Sequence, residues 1–323
     1  MIPKFPLEIV ATIGPSSEGL IPCIRDAGAT SLRVNSSHLS LKRLSGLASE
    51  IRAALPDVPL VIDLQGAKMR LGVFAAREVK EGEPLRFSYV ASGEEIPLPH
   101  KEIFDAIAVG DTLSCDDDRL QFLVVSRGGQ AIDAVSRTDG VLHPRKGINV
   151  LEHPISLNDL TESDRKSIAA TAHLGPVAFA FSFMTDGHEA SWIRQRAPGC
   201  IVIGKVERRE AVLNIGKLAA CVDVLWICRG DLGAQLGPAS MARFIGSYQP
   251  SHEPCPVLMA GQVLEHLTEN ASATRAEICH LYDLVCRGYS GFVLSDETAI
   301  GRNPLRAIRE LRSLLTDFSK DGC

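Results

Sequence analysis

A chain of 323 residues with 45% hydrophobic content can fill one large core or two smaller ones, and its 23% charged residues are ordinary for a water-soluble protein. The net charge of -5 leaves no basic field to attract nucleic acid, and no apolar run of about 18 residues or signal-peptide core points to a membrane. Nine cysteines without a CxxC pair read as reduced thiols in a cytoplasmic protein.

In chain order, one strand type recurs. Short apolar runs occur at Ile9–Ile13, Ser31–Val34, Leu60–Ile62, Val177–Phe183, Ile201–Val206, Val224–Cys228, Pro256–Met259 and Phe292–Leu294. Such runs suit strands buried on both faces of a parallel sheet. Helical patterns separate most of them, for instance SLKRLSGLASEIRAAL, LTESDRKSIAATAHLG and ATRAEICHLYDLVCRG. The second opens on a Thr161–Asp164 cap signature, and helices end near Gly28, Gly175 and Gly288. The segment RREAVLNIGKLAA suits one crossover helix between the fifth and sixth strands. Eight strands alternating with helices predict an α/β fold of the (β/α)₈ barrel type.

From Leu71 to Lys146 the alternation stops. Short β-like pieces with turn chemistry (VKEGEPLRF, VGDTLSCDDDRLQFLVVSRGGQAIDAV, SRTDGVL) replace it. The organisation expected is a catalytic barrel of 1–70 and 147–323 with a β-rich lid domain, 71–146, inserted after the third strand. The acidic run Asp116–Asp118 reads as a solvated hairpin turn in that lid.

Charge collects where the apolar strands end. Lys205 and Glu207 stand where the fifth run ends, with a spacing of two, which aims both side chains to one side. Arg33, Asn35 and Ser37 follow the second run, Asp63 and then Lys68 and Arg70 the third, Arg229 and Asp231 the sixth, and Ser295, Asp296 and Glu297 the eighth. One arginine or aspartate after a strand is ordinarily a cap or a surface pair. Five strands delivering polar groups to one barrel face need a ligand to explain them, and a carboxylate beside an ammonium suggests a metal plus an anion. Cys228 reads as a strand filler, since no histidine base follows it closely in sequence.

The motifs IVATIGPSS, LRVNSSH, IDLQGAKMRLG, GKVERREAV, CRGDLG, TRAE and SDETAIG stand in an order and spacing that resembles the pyruvate kinase family over nearly the whole chain. The resemblance implies a Mg²⁺- or Mn²⁺-dependent phosphoryl transfer between phosphoenolpyruvate, or a substituted enol-phosphate, and ADP. It implies catalytic roles for Lys205, Arg33 and Glu297, the last supporting the site. Substrate contacts fall to Gly230, Asp231, Gly261 and Ser182, metal ligation to Glu207 and Asp231, and nucleotide contacts to Asn35, His38, Arg70 and Lys146. The partners implied are small molecules, with no nucleic acid and no membrane; homo-oligomerisation is left open. The match does not extend to the family's C-terminal regulatory domain, and control or assembly through that domain is not expected.

Three departures from the family's pattern stand out. At the monovalent-cation site matched by Asn35, Ser37, Asp63 and the carbonyl of Leu64, Lys68 replaces a glutamate often seen in cation-dependent members. The tethered ammonium is expected to supply the charge of K⁺, so that K⁺ is not required; a solvent-facing lysine is the plainer alternative. After the seventh strand the family's Ala-Thr-Gln reads Ala260-Gly261-Gln262. The missing hydroxyl leaves protonation of the enolate to water or leaves room for a substrate larger than pyruvate. In SDETAIG, Asp296 and Ile300 replace a glycine and a lysine, which weakens the expectation of ADP binding. Against the kinase stands a metal-dependent 2-oxo-acid lyase or aldolase using the same enolate-stabilising site, favoured by Gly261, Asp296 and Ile300. A catalytically silent binding protein is opposed by the joint presence of Lys205, Glu207 and Asp231.

Overall fold

A computed structural model describes residues 5–116, 119–153 and 155–320. Chain contacts divide it into two compact units, one of residues 1–66 with 159–323 and the other Ala67–Asn158.

The first unit is a closed barrel of eight parallel strands: Glu8–Thr12, Ser31–Asn35, Leu60–Leu64, Val177–Phe181, Ile201–Val206, Val224–Cys228, Val257–Ala260 and Gly291–Leu294. They neighbour one another in chain order, and the first closes on the eighth with Glu8 opposite Gly291. That closure needs glycine: a Cβ on Gly291 would lie 2.4 Å from the Glu8 carbonyl oxygen. The strands are mostly apolar because both faces are buried, and their polar residues gather towards the ends. Ile9, Leu32, Ile62, Phe179, Val202, Ile227, Met259 and Phe292 alternate with the inward-facing cluster. Val10, Val61, Ala178, Ala180, Ile203, Trp226, Cys228, Leu258, Ala260 and Val293 form that inner cluster. The small alanines leave room for Trp226, only 1% exposed and in register with Lys205 on the adjacent strand.

Helices lie where the patterns placed them. Leu41–Ala54 is capped by Ser40, Glu162–Thr171 by Thr161, and Arg275–Cys286 by a full Thr274–Glu277 capping box. Gly28, Gly175 and Gly288 follow helices at positive φ. The crossover after the fifth strand differs from the single helix expected: it is two short helices, Arg209–Leu213 and Ile215–Cys221. Asn214 breaks them at φ -109° and ψ 17°, with its amide donating to the Glu210 carbonyl in a local bond that competes with the helix.

The second unit holds a six-stranded sheet and a two-stranded one. In the larger sheet the order is Ile148–Val150, Thr112–Cys115, Leu120–Gly128, Ala131–Ser136, Pro84–Ser88 and Ile96–Pro97. Gly140–Leu142 pairs with Arg77–Val79. Phe87 and Phe122 meet edge to face at 5.3 Å in its core. The unit extends beyond the expected 71–146 on both sides. Arg70 bridges Gly147, the Ile148 N–H donates to the Met69 carbonyl, and Ile148–Val150 pairs with Thr112–Cys115, so both connecting stretches join its hydrogen bonding. One short helix, Lys101–Ala106, lies within it, too brief to show a period. Of the acidic run, Asp116 turns at φ 55° and pairs with Lys146 at 2.8 Å; Asp117 and Asp118 lie outside the described residues.

Among the described residues seven cysteines are free thiols and Cys286 is disulfide-bonded, which corrects the expectation of reduced thiols at that position. No described helix is long and apolar enough to cross a membrane.

Candidate active site

Parallel strands in a closed barrel all end on one side, and the residues at those ends are thrown together whatever their distance in sequence. Asp63, 2% exposed, is the hub. Arg33 approaches it through Nε at 2.8 Å and Nη2 at 2.6 Å, and Lys205 Nζ lies 3.1 Å from each carboxylate oxygen. Lys205 Nζ also donates to Ser182 Oγ at 2.9 Å and meets Glu207 Oε1 at 3.0 Å, as the spacing of two predicts. The Ser182 hydroxyl in turn donates to the Leu64 carbonyl at 2.8 Å. Arg33 Nη1 reaches Thr12 Oγ1 at 3.1 Å and Ser295 Oγ at 3.5 Å.

Burial alone would raise the Asp63 carboxyl and lower the Lys205 ammonium. The charges of Lys205 and Arg33 outweigh it and hold Asp63 below its usual range; Asp63 and Glu207 likewise hold Lys205 above its own. Both groups therefore stay ionised. Burial, and then the charge of Glu207, pushes the Cys228 thiol well up, which leaves it protonated and unsuited to attack.

The other oxygen of Glu207 accepts the Phe183 N–H at 2.8 Å. Phe183 sits at φ 58°, a strained conformation for a bulky residue, directly after Ser182. Arg208, 4% exposed, donates to the Phe183 carbonyl at 3.4 Å and pairs with Glu210. Thr12, Arg208 and the strain at Phe183 were not read from sequence, whereas Ser295 was among the polar residues closing the eighth strand. A charge two residues past a strand end is the signal that could have marked Arg208.

Not every polar strand end joins the cluster. Glu297, fully buried, accepts the N–H groups of Val263 at 2.9 Å, Leu264 at 3.0 Å and Ser295 at 2.7 Å. It braces the loops after the seventh and eighth strands. Arg229 donates from Nε to the Gly261 carbonyl at 2.8 Å and from Nη2 to that of Gln262 at 2.6 Å. Between these two grips Gly261 and Gln262 are held at φ 82° and 53°. A Cβ on Gly261 would lie 3.5 Å from the Gly230 nitrogen, so the absent side chain opens space beside the first turn of helix Arg229–Leu236. Gly230 and Asp231 occupy that turn, where N–H groups lack helical partners.

The oxygens matched to a monovalent-cation site carry internal bonds. Asn35 Oδ1 accepts the Ser37 N–H at 3.0 Å, Ser36 Oγ donates to the Asp63 carbonyl at 2.7 Å, and the Leu64 carbonyl takes Ser182. The His38 side chain lies outside the described residues. Lys68, Arg70 and Lys146 belong to the second unit. There Arg70 Nη1 donates to the Arg145 carbonyl at 3.1 Å, Lys146 pairs with Asp116, and Lys68 Cε would lie 3.7 Å from a Cβ on Gly147.

Glu207 and Asp231 offer hard carboxylate oxygens, a donor set that fits Mg²⁺ or Mn²⁺. Among the described residues the one group of three potential metal ligands is elsewhere, at Asp186, His188 and Glu189. Its oxygens are engaged: Asp186 pairs with Lys217, and Glu189 accepts the Thr185 and Gly187 N–H groups.

The model of the pyruvate kinase barrel domain family matches residues 6–308. A pyruvate kinase of Thermoplasma acidophilum is 30% identical over 97% of this chain, which spans 58% of that relative's length. One of Agrobacterium vitis is 29% identical over 97% of the chain and 69% of its own. The crystal structure of pyruvate kinase from Pyrobaculum aerophilum aligns with a TM-score of 0.80 at 26% identity, over 96% of this chain and 73% of that one. With its closed eight-stranded barrel and the family match along nearly its whole length, the chain belongs to the pyruvate kinase family through that family's barrel domain.

Proposed function

We propose that the chain transfers a phosphoryl group between phosphoenolpyruvate, or a substituted enol-phosphate, and ADP in a Mg²⁺-dependent reaction that does not require K⁺. The observation that carries this reading is the Lys205 ammonium, held charged between Asp63, Glu207 and Ser182 at the barrel's strand ends. Enolate formation places a negative charge on the 2-oxo oxygen, and a fixed point charge stabilises it more than water does because no reorientation is needed. The ammonium lies within hydrogen-bond distance of three internal acceptors, which fix its position, and an incoming oxygen shares one of its protons. Arg33 supplies a second cation to the phosphoryl oxygens. The first-turn N–H groups at Gly230 and Asp231 take the substrate carboxylate. Glu207 and Asp231 would hold the metal, which would supply positive charge to the anion that develops during transfer. Asn35, His38, Arg70 and Lys146 serve the nucleotide phosphates. Lys68 takes the place of K⁺, and Glu297 keeps the surrounding loops in position.

A second reading, a 2-oxo-acid lyase or aldolase, is favoured by one observation. Gly261 leaves open the space that a side chain would fill beside Gly230. The deciding experiment is pyruvate and ATP formation from phosphoenolpyruvate, ADP and Mg²⁺, with and without K⁺. Turnover indifferent to K⁺ supports the kinase and the role of Lys68. Absence of turnover while Mg²⁺ still binds transfers the assignment to a bulkier enol-phosphate or to the lyase.

A further inference from the structure

Asp164 stands in the first turn of helix Glu162–Thr171, outside the cluster around Lys205, and is only 1% exposed. Part of its bonding is a helix cap: the Asp164 N–H donates to Thr161 Oγ1 at 3.1 Å, and that hydroxyl donates to Asp164 Oδ2 at 2.7 Å. A cap needs no more. Yet the same carboxylate also accepts the N–H of Gln65 at 2.9 Å and of Gly66 at 3.2 Å, nearly a hundred residues earlier in the chain. These two residues directly follow the third barrel strand.

The gripped segment rests against the reacting cluster. Gly66 adopts φ 57°, and a Cβ there would lie 2.1 Å from the Ser182 carbonyl oxygen, so the Gly66 backbone lies directly on that of Ser182. The carbonyl of Leu64, just before this segment, accepts the Ser182 hydroxyl, and that hydroxyl accepts from Lys205. A displacement of Gln65 and Gly66 therefore moves both the carbonyl that orients Ser182 and the surface that backs it.

We propose that Asp164 is a positioning residue that holds the Lys205 ammonium in place through the Gln65–Gly66 backbone and Ser182. This rests on the reading of Lys205 as the group that stabilises the enolate. Asp164 touches no substrate; it supplies the fixed acceptor that stops the exit of the third strand from drifting. A carboxylate suits this task because its two oxygens can take two backbone N–H groups and a hydroxyl together, which an amide cannot.

Two variants separate positioning from capping. Thr161→Ala removes the cap hydroxyl and leaves the Gln65 and Gly66 N–H groups their acceptor; Asp164→Asn keeps the shape and loses an acceptor. The expected result in the phosphoenolpyruvate assay is a kcat at least tenfold lower for Asp164→Asn, with KM for ADP within about twofold, and kcat within about twofold for Thr161→Ala. Equal effects of the two variants, or an unchanged kcat for Asp164→Asn, overturn the proposal. If Asp164→Asn does not fold, Asp164→Glu, which keeps the charge and alters the reach, is read the same way. A wild type without turnover refutes the kinase reading and not this one. The rate at which an acylating reagent labels Lys205, followed by mass spectrometry, then decides. Faster labelling in Asp164→Asn than in Thr161→Ala supports positioning, and equal rates overturn it.

Discussion

Lys205→Met removes the one cation that touches both buried carboxylates. Asp63 keeps Arg33, but Glu207 loses the partner at 3.0 Å, and both are 2% exposed. Removing one member of a buried pair costs about 3–5 kcal/mol, because the charge left behind is shielded from water and has lost its counter-charge at contact distance. The pH dependence gives the sign. In the wild type the Asp63 carboxyl lies below its unfolded value, so its contribution is present above the unfolded pKa and is lost as pH falls through the folded one. In the variant one carboxyl must take up a proton to stay buried, its folded pKa rises above the unfolded value, and stability is lost as pH rises. The penalty should therefore approach the full figure near pH 8 and shrink towards pH 5. Urea unfolding followed by tryptophan fluorescence measures it, since Trp226 stands in register with Lys205. The same variant should lose turnover by a hundredfold or more, about the effect of deleting one preorganised donor. A penalty under about 1 kcal/mol and constant with pH would show that the ammonium is not the centre of a desolvated ionic cluster, and the mechanism built on it would fall.

Other expectations are as specific. Burial pushes the Asp164 carboxyl from 3.8 up to about 6, so the stability tied to its proton is present below pH 4 and lost as pH rises through 6. That displacement corresponds to about 3 kcal/mol, and unfolding curves of Asp164→Asn should lack this slope between pH 4 and 6. Gly261→Ala forces a side chain into φ 82°, at a cost of about 1–2 kcal/mol, with its Cβ 3.5 Å from the Gly230 nitrogen. Its KM for an enol-phosphate substituted at C3 should rise more than its KM for phosphoenolpyruvate, and equal KM values would discount the open space. Lys68→Glu should create a demand for K⁺; a variant indifferent to K⁺ would remove Lys68 from the cation's role. Chelation of divalent metal should abolish turnover of the wild type, with Mg²⁺ or Mn²⁺ restoring it.

The barrel was legible because a strand buried on both faces must be apolar along its length, and eight such runs survive as an alternating pattern. Lys205 and Glu207 were legible together because a strand's period of two is local geometry that needs no tertiary information. The edges of the second unit were less so: Lys68–Arg70 and Ile148–Val150 belong to it only through hydrogen bonds made across the chain. The break at Asn214 was missed because one side-chain bond to Glu210 overrides a helical pattern of ordinary propensity.

What this sequence determined by itself is the parallel barrel, the interruption after its third strand and the identity of the charged residues closing each strand. Those features follow from periodicity and composition, which are properties of neighbours along the chain. Only the tertiary structure decided how the charges sort. Arg33, Asp63, Ser182, Lys205 and Glu207 gather into one desolvated network, whereas Glu297 and Arg229 turn to the loop around Gly261. It also gave Asp164 a second task beyond its cap. Sequence separation carries no record of such meetings. Closing the barrel brings the strand ends of Asp63 and Lys205, more than a hundred residues apart, to 3.1 Å, and the cost of burying charge then selects which of them pair.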